Sequence, residues 1–471
     1  MTLGTIAAAM GGTVDTAGAG RDVRGFSIDT RTLRPGDVFF AIRGDRFDGH
    51  AFVADALRAG AAGAVVSEEG LAAVRLTSAP LGPGTSDTTG IIVVADTLRA
   101  LQQLATHVRR ESGSTVVAVT GSAGKSTTKE ITAEFLGARY QVFRNRGNLN
   151  NHIGLPLSLL ELRHKPDIAV VELGMNHFGE ISTLVRISEP EVRVWTNVGP
   201  AHLEFFDSVD AIAEAKSEIM DGARPGDLLV ANADDDRVMR HAAHFAGHVR
   251  TFGIDRPADV RAFAVKDLGV DGVSAMVRTA AGDVELKTPL PGTANLANVL
   301  AATAVALRFD VPLADIATRA ANLKPVARRG EVVRCGGLTI VDDSYNSNPK
   351  ALSGALAMIG RETRFARRIA VIGEMLELGE TAEELHRDAG AEVAEAGVAV
   401  LIAVGGPAAR AIAAGASDTG MPPSNIYYAA TSAKAADLAV TLVKAGDLVL
   451  VKGSRGVRTE VVVDRLKAEF A

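Results

Sequence analysis

The chain has 471 residues, 47% apolar and 23% charged, with a net charge of −6. That length exceeds what one hydrophobic core supports and predicts two to four domains, and the acidic balance excludes the basic footprint that nucleic acid or an anionic membrane surface requires. The one cysteine, Cys335, excludes an intrachain disulfide framework and a cysteine-rich zinc site.

The amino terminus MTLGTIAAAMGG has no basic start before its short apolar stretch, unlike a secretory signal. No apolar run approaches the roughly 20 residues that span a bilayer. A cytoplasmic protein without membrane insertion is expected. Along residues 1–110, short apolar runs predict strands at 23–28, 37–42, 64–67 and 91–95 and helices at 51–58 and 98–110. The Gly/Pro/Ser/Thr-rich stretch 77–90 reads as a surface loop. A polar joint at 111–114 marks the first boundary.

Residues 111–326 open with an apolar strand at 115–119, a glycine turn and a helix over 125–136. Strands at 168–172, 192–197 and 228–231 alternate with helices, the pattern of a mainly parallel sheet covered on both faces. Between 260 and 286 the period shortens, with turns at Asp271-Gly272 and Ala281-Gly282-Asp283, which predicts an antiparallel appendage. Helices at 295–307 and 313–323 close this part. The junction 323–330, with a proline and three cations, is a candidate hinge. Residues 327–471 alternate strand and helix again, with strands at 338–341, 368–372, 398–404, 425–428 and 448–451, so a second doubly wound sheet is expected. Cys335 reads as a small, half-buried strand residue. The fold class is α/β in three domains, 1–110, 111–326 and 327–471.

The strongest local signal is Thr120-Gly121-Ser122-Ala123-Gly124-Lys125-Ser126-Thr127, after a strand and before a helix. Glycines let backbone N–H groups curl around phosphate oxygens, and the helix amino terminus adds a favourable dipole. Lys125 supplies a point charge for β- and γ-phosphates, and the Ser126 hydroxyl suits Mg²⁺. The common form carries a glycine five residues before Gly124, where this chain has Val119. By itself the loop equally suits a kinase, a motor or a GTPase.

Three further residues carry open readings. Glu172 ends the strand 168–172, where a carboxylate faces the ligand crevice of an open sheet or a solvated turn. His202 follows another strand end and reads either as packed or as a ligand. Lys216 lies in a helical pattern opening near Ser208, and alone it reads as a surface lysine.

Taken together, Thr120–Thr127, Glu172, Asn197–Leu203, Lys216 and Ala294–Ala302 resemble the Mur ligases, ATP-dependent amide-forming enzymes of peptidoglycan precursor synthesis, over essentially the whole chain. The resemblance implies a small α/β domain for a UDP-linked substrate, a central phosphate-loop ATPase domain and a carboxy-terminal Rossmann-like domain. It implies that Gly121, Ser122, Ala123, Gly124, Lys125, Ser126, Thr127, Asn295, Arg329, Asp343 and Tyr345 hold ATP. Two Mg²⁺ ions fall to Ser126, Glu172, His202 and a Lys216 carbamylated by carbon dioxide. Lys125, His202 and Lys216 are the implied catalytic set. Ala294 stands where relatives often have histidine. Arg328 stands where they usually have glycine, so either Arg328 or Arg329 is the working arginine.

Ser27-Ile28-Asp29-Thr30-Arg31, Pro35–Ala41 and Asp48-Gly49-His50 resemble the uridine-nucleotide domain shared by two branches of the family. Asp342–Pro349, Gly373–Gly379, His386 and Lys452-Gly453-Ser454-Arg455 resemble the branch that adds a dipeptide. The implied substrates are a UDP-N-acetylmuramoyl-tripeptide and D-alanyl-D-alanine, joined through an acyl phosphate by a monomer. Their implied contacts are Ser27, Thr30, Arg31, Asp48, Gly49, His50, Asn150, Asn151, Asn346, Asn348, Lys452, Ser454 and Arg455.

Overall fold

The computed structural model describes residues 1–44, 47–77 and 90–471. The predicted loop 77–90 lies, except for its two ends, outside the described residues. The chain divides into two compact units, the first comprising Met1–Val116, Asn145–Gly174 and Ser182–Pro190, the second Val117–Arg144, Met175–Ile181 and Glu191–Ala471.

In the first unit, β1 (Thr13–Val14), β2 (Gly25–Ser27), β3 (Asp37–Phe40), β4 (Gly63–Ser67) and β5 (Ile91–Val94) form a sheet of order β1-β5-β4-β3-β2. All its pairings are parallel except β1 with β5. Phe39, Ala41, Val53, Ala64, Val66 and Ile91 bury one face. The helix predicted at 51–58 begins as a 3-10 turn, Gly49–Phe52, and turns α-helical only at Val53–Arg58.

The helix Thr97–Ser112 starts at Asp96, whose side chain accepts the Arg99 N–H, and buries Ala100, Leu101, Leu104, Ala105 and Val108 at helical spacing. It runs through half of the expected joint 111–114. Ser112 bonds back to the Arg109 carbonyl at 2.7 Å, and the chain turns only at Gly113, in the left-handed conformation that ends many helices.

The chain continues through β6 (Thr115–Thr120), β7 (Val142–Arg144) and β8 (Ile168–Glu172), the last in the first unit. Within the second unit, β9 (Val192–Trp195), β10 (Leu228–Asn232), β11 (His248–Gly253), β12 (Val260–Asp267), β13 (Val273–Thr279) and β14 (Gly282–Thr288) extend from β6 in the order β14-β13-β12-β11-β10-β9-β6. Pairing is parallel from β6 to β12 and antiparallel from β12 to β14, as the change of period predicted. Strand β9 stops two residues before the predicted end, which frees Thr196 and Asn197 for the loop described below. The helix Thr293–Ala306, buried over most of its surface, packs against Lys125–Leu136.

The rest of the second unit is a six-stranded sheet of order β15-β16-β20-β17-β18-β19, comprising β15 (Glu331–Cys335), β16 (Leu338–Asp343), β17 (Arg367–Gly373), β18 (Val400–Val404), β19 (Ile426–Ala429) and β20 (Asp447–Lys452). Alternate residues bury opposite faces. Ala370, Ile372, Leu448 and Leu450 enter one core, while Ile369, Val371, Val449 and Val451 enter the other. Strand β15 pairs antiparallel with β16 and carries the half-buried Cys335. No helix among the described residues is long and apolar enough to cross a membrane.

Candidate active site

The glycine loop joins β6 to the helix Lys125–Leu136, and its shape demands glycine twice. Gly121 and Gly124 have φ of 147° and 82°. A Cβ at the first would lie 2.0 Å from Thr196 Oγ1, and one at the second 2.4 Å from Asn298 Oδ1. Val119, where the common loop has glycine, is instead a fully buried residue inside β6. The turn therefore spans only Gly121 to Gly124.

Side chains from the end of β9 grip this loop. Thr196 Oγ1 donates to the Ala123 carbonyl at 2.7 Å. Asn197 accepts the Ala123 N–H at 2.9 Å and donates to its carbonyl at 3.0 Å. The Ser122 hydroxyl donates to the Gly199 carbonyl at 3.1 Å. Lys125 Nζ donates to the Gly121 carbonyl at 2.7 Å. From the helix Thr293–Ala306, Asn298 accepts the Thr128 hydroxyl at 3.1 Å and donates to Asn295 at 3.4 Å, while Asn295 Nδ2 donates to the Pro291 carbonyl. Ala294 is exposed at the start of that helix.

Lys216 closes the helix Val209–Ser217, capped by Ser208. The surface reading is overturned, because Lys216 is 1% exposed. Ile212 lies four residues earlier on the same helical face, so the face that buries Ile212 buries Lys216 as well. Burial, and after it the Lys125 ammonium, hold the amine well below the ordinary lysine range. His202 stands at φ 62°, with Nδ1 2.6 Å from Glu377 Oε2. Burial lowers its pKa, the Glu377 hydrogen bond opposes this, and the charges of Lys216 and Lys125 lower it further. Lys125, Lys216 and His202 thus converge electrostatically.

Carboxy-terminal residues enter the same unit. Arg329 stacks 4.0 Å over the Tyr345 ring, and Arg455 lies 5.0 Å from the ring's centre. Arg328 holds φ 61°, the conformation for which glycine is the natural choice, and its guanidinium points to Glu460 and Asp464 at 3.6 and 3.7 Å. Lys452, nearly fully buried, donates to Asp343 at 2.6 Å and to the Asn346 carbonyl at 3.0 Å. Asn348 caps the helix Pro349–Gly360 and donates to the Ser122 carbonyl at 3.2 Å. Lys350, which the sequence did not mark, reaches the Val198 carbonyl and Asp235. Ser454 accepts the Leu376 N–H at 2.9 Å.

The remaining expected residues lie in the first unit. Glu172, 3% exposed at the end of β8, accepts from Asn150 Nδ2 at 2.7 Å, and its own N–H donates to Asn145 Oδ1. Asn151 accepts the Ile153 and Gly154 amides. Ser27 closes a turn on Asp29, whose carboxylate takes Arg31 in a fork and whose pKa falls to about 2 through that hydrogen bond. Thr30 is half-buried beside them. Asp48 accepts from His50 Nδ1 at 2.5 Å, Gly49 packs on the Ile42 backbone, and His50 Nε2 accepts the Ser67 N–H. His50 is thereby committed to holding its own loop.

A glycine-built phosphate loop at a strand end, backed by a mainly parallel sheet and followed by a second doubly wound sheet, defines an α/β nucleotide-binding enzyme. Three family models match in succession: the Mur ligase family catalytic domain over residues 22–109, the Mur ligase middle domain over 119–306 and the Mur ligase glutamate ligase domain over 328–455. The UDP-N-acetylmuramoyl-tripeptide--D-alanyl-D-alanine ligase of Bacillus subtilis is 33% identical over 446 residues, which cover 94% of this chain and 93% of the relative. The Escherichia coli enzyme of the same name is 34% identical with the same coverage. Among solved structures, MurF from Acinetobacter baumannii superposes with TM-score 0.85 at 30% identity, covering 99% of this chain and 98% of the other. MurF from Thermotoga maritima in complex with ADP gives 0.80 at 31%, covering 95% and 98%. The chain belongs to the Mur ligase family and is an ATP-dependent ligase.

Proposed function

We propose that this ligase joins D-alanyl-D-alanine to UDP-N-acetylmuramoyl-tripeptide, using ATP and releasing ADP and phosphate. The observation that carries the reading is the convergence of Lys125, Lys216 and His202 at a phosphate loop, in a chain alike to such ligases over nine-tenths of its length.

The terminal carboxylate of the tripeptide attacks the γ-phosphorus and ADP leaves. The amine of D-alanyl-D-alanine then attacks the acyl carbon, loses a proton, and phosphate departs. The loop amides other than those of Ser122 and Ala123, which Asn197 already accepts, and the helix amino terminus hold phosphate oxygens, and Lys125 exchanges the Gly121 carbonyl for the nucleotide's charge. Arg329, Asp343, Tyr345 and Asn295 bind the rest of the nucleotide. The Asn348 contact to the Ser122 carbonyl supports a carboxy-terminal domain that closes over this site and keeps water from the acyl phosphate.

Lys216 fits a metal site only in modified form. Burial, and after it the Lys125 charge, disfavour the ammonium of Lys216 and so favour the neutral amine, the form that adds carbon dioxide. The carbamate then offers oxygens where an ammonium would repel a cation. Ser126, His202 and carbamylated Lys216 would hold Mg²⁺, with the Asn150-oriented Glu172 carboxylate assigned to the same role. Bound there, Mg²⁺ supplies charge neutralisation to the transferring phosphoryl group.

The reading keeps three functional domains, 1–110, 111–326 and 327–471, and assigns a monomer to the cytoplasm. The uridine nucleotide falls to the segments around Ser27–Arg31 and Asp48–His50, and the peptide substrates to Asn150, Asn151, Asn346, Asn348, Lys452, Ser454 and Arg455. Phosphate release with each component omitted in turn tests the proposal. It requires both co-substrates, whereas robust release from ATP and Mg²⁺ alone would point to another NTPase.

A further inference from the structure

His202 and Glu377 come from stretches matched by different family models, yet the imidazole Nδ1 lies 2.6 Å from Glu377 Oε2. A carboxylate can only accept, so Nδ1 carries the hydrogen and donates it. The contact is part of a seam. The Glu204 N–H donates to the Glu377 carbonyl at 3.1 Å, and a Cβ on Gly379 would stand 3.1 Å from the Glu204 backbone. Both His202 and Glu377 hold left-handed backbone, φ 62° and 64°, which a non-glycine residue keeps only where its surroundings impose it. The segment bearing Glu377 is itself anchored. The Met375 N–H donates to the buried His386 Nε2 at 2.8 Å, and the Leu376 N–H donates to Ser454 Oγ. A loose surface ion pair would need none of these supports.

We propose that Glu377 is a positioning residue of the ligase: by accepting the Nδ1–H of His202 it fixes the tautomer and angle of the ring, so that Nε2 presents its lone pair for the cation of the ATP complex. An imidazole that ligates through one nitrogen needs a partner on the other. Here the partner is delivered by the carboxy-terminal segment, so cation binding by the central segment depends on contact with it. The inference rests on His202 being a metal ligand, as proposed above.

The test uses the full chain labelled with ¹⁵N-histidine, in which the resonances of His202 are identified by their loss in His202→Gln. Wild type carries its ring proton on Nδ1, and Glu377→Ala moves it toward Nε2. Titrating Mg²⁺ in the presence of a non-hydrolysable ATP analogue, Glu377→Ala raises the half-saturating concentration on the order of 10–100-fold; in separate turnover assays with ATP and saturating Mg²⁺, KM for D-alanyl-D-alanine is unchanged. Glu377→Gln keeps an acceptor oxygen and falls between the two. An Ala variant with the wild-type tautomer and Mg²⁺ requirement overturns the proposal, and so does a Gln variant indistinguishable from Ala. His202→Gln separates the two ideas. If it leaves the Mg²⁺ requirement unchanged, the ligand reading fails; if it raises it and Glu377→Ala does not, the positioning role fails.

Discussion

Asn197 holds Ala123 by both backbone groups, accepting its N–H at 2.9 Å and donating to its carbonyl at 3.0 Å. The amide side chain thus acts as a short piece of neighbouring strand and keeps the phosphate loop curled. Asn197→Ala removes two hydrogen bonds of ~1 kcal/mol each, so ATP affinity falls on the order of tenfold, read by calorimetric titration. Asn197→Asp retains only the acceptor and loses nearly as much. Unchanged affinity in both would mean that the loop holds its shape without this grip.

The proposed carbamate makes the Lys216 amine, and not a positive charge, the group the reaction needs. Lys216→Ala therefore loses activity on the order of 10²–10³-fold, the scale of one preorganised electrostatic group. Formate or acetate restores part of it by filling the vacated space. Lys216→Arg stays inactive, because arginine keeps the charge and does not form the carbamate. A fully active arginine variant would refute the role.

The same burial has a stability consequence with a definite sign. The pKa of Lys216 is lowered on folding, so in carbon-dioxide-free buffer the unfolded chain binds more protons below the ordinary lysine value of 10.5. Lys216→Met is accordingly more heat-stable than wild type at neutral pH. The gap in Tm narrows as pH rises toward 10.5. A gap independent of pH would show that Lys216 does not titrate in this way.

Glu362 provides the opposite sign. Its hydrogen bond from Arg364 depresses its pKa from 4.5 to about 2, against burial, and it also accepts the Val270 N–H. The stability it contributes is complete above pH 4.5 and is lost as pH falls from there toward 2. In urea unfolding, Glu362→Gln should be less stable than wild type at pH 7 and converge with it in acid.

Arg328 and Arg329 separate by substitution. Arg328→Gly relieves left-handed strain of roughly 1–2 kcal/mol and gives up two partly exposed ion pairs of ~0–1 kcal/mol. Stability changes little or rises, and turnover is unaffected. Arg329→Ala removes the stack on Tyr345 and raises KM for ATP. The reverse pattern in steady-state kinetics would make Arg328 the working arginine.

How much the sequence reveals depends on how local the cause is. The helix Lys125–Leu136 and the strand Ile168–Glu172 lie where the apolar runs predicted them, because a glycine turn bounds the first and β-branched residues fill the second. Of strand β15 only Cys335 reads as a strand residue in the sequence, since Glu331-Val332-Val333-Arg334-Cys335 is short and half-exposed and pairs only beside β16. The burial of Lys216 was legible in its spacing from Ile212, though a lysine at that spacing ordinarily reads as solvated. Glu377 stands inside the family-like string Gly373–Gly379, but nothing in that string points to His202. Its partner is 175 residues away, and only the folded chain brings the two together.

The central claim is tested most directly by mass spectrometry of the product formed from ATP, UDP-N-acetylmuramoyl-tripeptide and D-alanyl-D-alanine. The account predicts a UDP-linked product heavier than the tripeptide substrate by D-alanyl-D-alanine less one water, formed together with one ADP and one phosphate. A phosphorylated product without a new amide, or no UDP-linked product of that mass, would contradict it.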